Sequence, residues 1–126
     1  SGTIETISEN PLVIVDFAHT PDGMDEVLKS FNEKDIICVF GAGGDRDKLK
    51  RPLMGTVAAK YSKHIIVTSD NPRFEDPDLI IEEIVAGIKN HPSVQIEINR
   101  KEAIQKAINM ANENCVILVL NLHNFA

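Results

Sequence analysis

Five apolar runs, rich in β-branched residues and separated by segments of helical periodicity, dominate this chain of 126 residues. They are Leu12–Phe17, Ile36–Phe40, Ile65–Thr68, Val94–Ile98 and Val116–Leu120. Continuous apolar runs this short predict strands buried on both faces, as in a parallel sheet, whereas the alternation of Val94–Ile98 predicts a strand nearer an edge. Thr20-Pro21-Asp22 supplies an N-cap, a proline at the first helical position and an early acid, opening a helix that runs to about Phe31. Further helices are expected from Pro52 to Tyr61, from Asp76-Pro77-Asp78 to about Lys89, and from Lys101 to Ala111. The expectation is a single α/β domain: Rossmann-like, doubly wound, with a mostly parallel sheet of five or six strands.

Composition narrows the function classes. The formal net charge of −6 argues against a general nucleic-acid or membrane-surface role. No apolar run approaches the length of a membrane span, and the N-terminus lacks a signal-peptide pattern. Cys38 and Cys115 both sit in apolar runs, which predicts small buried side chains in a reducing compartment. The chain has no CxxC pair and no HExxH spacing, so no metal site is expected from it. Ser1-Gly2 ahead of an early strand is what an excised domain would carry, and a monomer is expected.

In open α/β sheets ligands gather at the carboxyl ends of the strands. The polar departures of this sequence all fall there and are expected on one rim. The first is DFAHTPDGM (16–24). Asp16 and His19 can face a nucleotide, and they can equally cap the Pro21 helix and satisfy nearby backbone. The second is GAGGDRDKLKR (41–51). Its glycines permit close backbone approach, and Arg46, Lys48, Lys50 and Arg51 favour an anion. Arg46 replaces the third glycine of a dinucleotide fingerprint, and the GK[ST] ending of a P-loop is missing. The third is Asp70-Asn71-Pro72-Arg73. It is a turn by composition alone, and it can also hold Asn71 and Arg73 rigidly on one ligand, with Arg73 forking onto a carboxylate.

Together VDFAHTPDGM (15–24), VFGAGGDRDKLKRPLMG (39–55) and TSDNPRFEDP (68–77) resemble the C-terminal domain of the Mur ligases, in the branch that adds diaminopimelate. The similarity runs from the first strand to about Val119. Folylpolyglutamate synthetases are weaker relatives, generally without the GGDRDK and DNPR pair. The resemblance implies an ATP-dependent, amide-forming ligase of the cytoplasm that adds meso-diaminopimelate to UDP-MurNAc-L-Ala-D-Glu. In such ligases ATP phosphorylates the D-glutamyl γ-carboxylate and the incoming amine attacks the acyl phosphate. The P-loop and magnesium ligands belong to a central domain, and the UDP-sugar to a first domain. ATP and Mg2+ would therefore be held mainly outside this chain, which alone would be inactive.

By position, Arg46, Asp70, Asn71 and Arg73 would hold the amino acid, and Asp16 and His19 would lie against the nucleotide. An arginine buried at position 73 and left unpaired by lysine would lose about 1.5–3 kcal/mol per charged hydrogen bond. Two features depart from the family. A GKGHE-like loop usually follows the last strand, where this chain reads NLHNFA (121–126), and Thr3 or a neighbour stands where a hinge arginine is usual. Two alternatives of other classes are a non-catalytic nucleotide-binding module and a receiver-like signalling domain.

Overall fold

The computed structural model describes residues 4–44 and 47–122. Among these residues six strands form one sheet in the order β1-β2-β6-β3-β4-β5. They are β1 (Glu5–Glu9), β2 (Leu12–Asp16), β3 (Asp35–Phe40), β4 (His64–Val67), β5 (Val94–Ile96) and β6 (Cys115–Leu120). Only β1 is antiparallel, pairing with β2 across the Asn10-Pro11 turn. The helices among the described residues are α1 (Pro21–Ser30), α2 (Lys50–Tyr61), α3 (Pro77–Val85) and α4 (Arg100–Met110).

The pairing order explains where each helix lies. From β2 the chain steps in one direction to β3, β4 and β5, and right-handed crossovers then place α1, α2 and α3 on one face. The step from β5 back to β6 reverses direction and carries α4 to the other face. The buried side chains divide accordingly. Ile14, Ile36, Cys38, Phe40, Ile65, Val67, Val116, Leu118 and Leu120 meet Met24 and Leu28 of α1, Met54 and Ala58 of α2, and Ile80, Ile81 and Ile84 of α3. Their neighbours Val13, Val15, Ile37, Val39, Ile66, Ile117 and Val119 face Ala103 and Ala107 of α4. Every residue of β6 is buried, because β2 and β3 flank it and helices cover both sides.

Helix starts follow the expected chemistry. The Thr20 hydroxyl accepts from Gly23 N at 3.0 Å, Asp76 from Asp78 N at 2.9 Å and Asn99 from Glu102 N at 3.0 Å. Two elements differ from expectation. Strand β1 was not legible, because its ETISE sequence is short and mostly polar, as edge strands often are. Helix α3 stops at Val85 rather than Lys89, just before Gly87 passes against the backbone of Pro52.

Candidate functional site

The three polar loops converge on a cleft of about 610 Å³ at the carboxyl ends of the parallel strands. Phe17, His19 and Thr20 line it after β2. Ala42, Gly43, Asp47, Lys50, Arg51 and Met54 follow β3, Asp70, Asn71 and Arg73 follow β4, and Asn121 follows β6. His19, Asn71 and Arg73 are exposed at its mouth, and Asp70 is buried. Arg46 lies outside the described residues, although both ends of its loop, Gly43 and Asp47, edge the cleft. Asp16 is fully buried and is not among the lining residues. One of its carboxylate oxygens accepts from Ala18 N at 2.8 Å, and Oδ2 has no hydrogen-bond partner among the described residues.

The glycine loop and the DNPR turn touch directly. Gly44 N donates to Asn71 O at 3.0 Å. A Cβ at Gly44 would lie 1.9 Å from Pro72 O, so only glycine lets the two backbones come this close. The glycine therefore serves loop-to-loop contact, and none of the described glycines has a positive φ. Left-handed backbone falls instead on Asn71 (φ 36°), Arg73 (φ 55°) and Asn121 (φ 54°). Such a conformation costs a non-glycine residue about 1–2 kcal/mol.

The basic cluster after β3 is not one anion site. Arg51 is 1% exposed and turned inward. Its Nη1 donates to Glu75 Oε2 at 3.0 Å and to Glu83 Oε1 at 2.7 Å. Its Nη2 donates to Glu75 Oε1 at 2.9 Å and to the Gly43 carbonyl at 3.1 Å. The fork to Glu75, opposed by burial and reinforced by Glu83, holds the guanidinium pKa above its ordinary value. Lys48 pairs with Glu75 at 3.8 Å. Lys50 and Arg73 face the cleft with no ion-pair partner among the described residues. Asp70 has Arg100 of α4 at 3.5 Å.

Asn121, the first residue of the departing NLHNFA segment, was missed as a site residue. Its N–H donates to Asp16 O at 3.1 Å and its side-chain amide to Gly41 O at 2.9 Å. It thereby ties the ends of β2, β6 and β3 together beneath the cleft. An asparagine directly after a central strand was the available signal, since asparagine accepts the left-handed region more readily than most residues.

Arg73 is exposed, not buried as expected. Solvent screening therefore weakens its grip on a carboxylate until something covers the cleft. Among the described residues no three His, Cys, Asp or Glu side chains are placed to hold a metal ion. The described part of this surface thus offers no ligand set of its own for Mg2+. The exposed imidazole of His19, the amine of Lys50 and the half-exposed ring of Phe17 do fit an aromatic, anionic ligand such as a nucleotide.

Comparison with known proteins accords with this geometry. The family described as "Mur ligase, glutamate ligase domain" matches residues 4–120. A UDP-N-acetylmuramoyl-L-alanyl-D-glutamate--2,6-diaminopimelate ligase of Wolinella succinogenes is 52% identical over 94% of this chain and 27% of its own length. The Aquifex aeolicus protein of the same name is 50% identical, over 94% of this chain and 26% of its own. A solved structure of a ligase of that name superposes with a TM-score of 0.86 at 36% identity, over 96% of this chain and 26% of that one. A Yersinia pestis folylpolyglutamate synthase/dihydrofolate synthase superposes at 0.75 with 17% identity over 96% of this chain and 28% of that one, a likeness of fold alone. This chain thus spans about a quarter of its relatives' length. With the family matched across nearly the whole chain and its three loops on one rim, the chain belongs to the Mur ligases and is their C-terminal, glutamate ligase domain.

Proposed function

We propose that this domain seats the incoming amino acid, meso-diaminopimelate or a close analogue, within a three-domain cytoplasmic ligase of peptidoglycan synthesis. The observation that carries the reading is the Gly44–Asn71 backbone bond, which sets the end of the glycine loop beside the turn of Arg73. Arg73 then forks onto a carboxylate of the amino acid, Asn71 adds neutral hydrogen bonds, and Asp70 accepts from an ammonium. By resemblance to the family, Arg46 is a further contact to the amino acid. The relatives' names support the choice of diaminopimelate, whose second carboxylate gives Arg73 a partner that lysine lacks.

His19 lies against the nucleotide, and buried Asp16 acts from behind it by holding the Ala18 turn. ATP activates the D-glutamyl γ-carboxylate of the UDP-sugar peptide as an acyl phosphate. The amine held here attacks that carbon, phosphate leaves, and an amide forms. The phosphate-binding loop and Mg2+ site are assigned to another domain of the full protein.

In the full-length ligase, Arg73→Ala is expected to raise KM for diaminopimelate about tenfold or more, equivalent to about 1.4 kcal/mol, with KM for ATP within about twofold. An equal rise in both constants would remove the assignment.

A further inference from the structure

We propose that Arg51 is a positioning residue for amino-acid recognition, clamping the glycine loop and the DNPR turn into one rigid seat without touching the ligand. The inference rests on the reading of the seat given above. Arg51 leaves the first turn of α2 and reaches three elements at once. Its fork grips Glu75, two residues beyond Arg73, while Nη2 also holds the carbonyl of Gly43, one residue before the glycine bonded to Asn71. Nη1 fastens the same guanidinium to Glu83 of α3.

The turn is therefore pinned on both sides of its strained residues. Gly44 N holds Asn71 O ahead of Arg73, and Arg51 holds the Glu75 side chain behind it. Asn71 and Arg73 have φ values of 36° and 55°, which the chain would leave if released. A buried arginine between two carboxylates is weak evidence of stabilisation, because desolvation offsets much of the attraction. Its value here is geometric, since one planar group fixes the distance between two loops that meet the same ligand. Lysine cannot replace it, having no bidentate fork.

The test uses the full-length ligase with Arg51→Lys and Glu75→Gln. Each is expected to raise KM for diaminopimelate about tenfold, with kcat and KM for ATP within about threefold. Should Arg51→Lys fail to fold, Glu75→Gln decides, since it keeps the Arg51–Glu83 pair. A fall in Tm with KM for diaminopimelate unmoved would overturn the proposal, as would parallel rises in both KM values. The double variant Arg73→Ala/Glu75→Gln should lose less than the sum of the two single losses, because the clamp acts in part through the side chain already removed, and fully additive losses would contradict it. Arg73→Ala assayed alongside separates the two ideas. An unmoved KM there sinks the seat itself, whereas a raised KM there with an unmoved one in Glu75→Gln sinks the clamp alone.

Discussion

Asn71, Arg73 and Asn121 edge the cleft and all hold a left-handed backbone. Asparagine tolerates that region and arginine does not, so Arg73 stores strain that its surroundings must hold. The residue types of the DNPR turn were readable as a motif, but their strain was not, because nothing in an arginine encodes a positive φ. The partners of Arg51 lie 24 and 32 residues away, and proximity along the chain grouped it wrongly with Lys50 as an anion ligand. Ionisable residues elsewhere obey the same local logic. Burial pushes the Cys38 thiol up to about 12, so it is inert at neutral pH. His64 is held below its ordinary pKa by burial and then by Lys63 and His91. Its neutral form is favoured in the fold, so its contribution is full above the unfolded value of about 6.5 and is lost as pH falls from there through the folded pKa. Melting curves between about pH 7.5 and pH 5 should show Tm falling less in His64→Gln than in the parent, and identical slopes would refute this.

Among the elements, the buried strands were the most legible because apolar runs covered on both faces leave an unbroken signal. Ends were less so. Helix α2 begins at Lys50, two residues ahead of the expected Pro52, and its N-cap Leu49 offers no side-chain acceptor. Strand β5 ends at Ile96 rather than Ile98. The α2–α3 contact was invisible in sequence, although it carries a sharp packing constraint. Gly55 sits in the middle of α2, where alanine would favour the helix by about 1 kcal/mol. A Cβ there would lie 2.2 Å from Ile84 O, forcing the helices apart. Overpacking of this kind costs about 1–3 kcal/mol, so Gly55→Ala should lower the unfolding free energy despite better helix propensity. Denaturant titration decides it, and a more stable variant would show that the two helices separate freely.

For the whole molecule, one rim collects every loop that bears chemistry, as the strand order requires. The family motifs made this rim legible, whereas its stitching by Asn121 and Arg51 depended on contacts between distant segments. The chain holds about a quarter of its relatives' length, and neither a P-loop nor, among the described residues, a metal cluster. The isolated 126-residue chain should therefore form no amide and release no ADP when given ATP, Mg2+ and diaminopimelate. Diaminopimelate-dependent ADP release from it would refute that expectation. The antiparallel course of β1 sets which end of the sheet it reinforces. Glu5 lies opposite Val15, so the polypeptide arrives beside the ligand cleft and not at the far end of the sheet. Strand β1 therefore braces β2 at the end that carries the cleft, and loosening their pairing would be felt first at Phe17 and His19, which follow β2 into it.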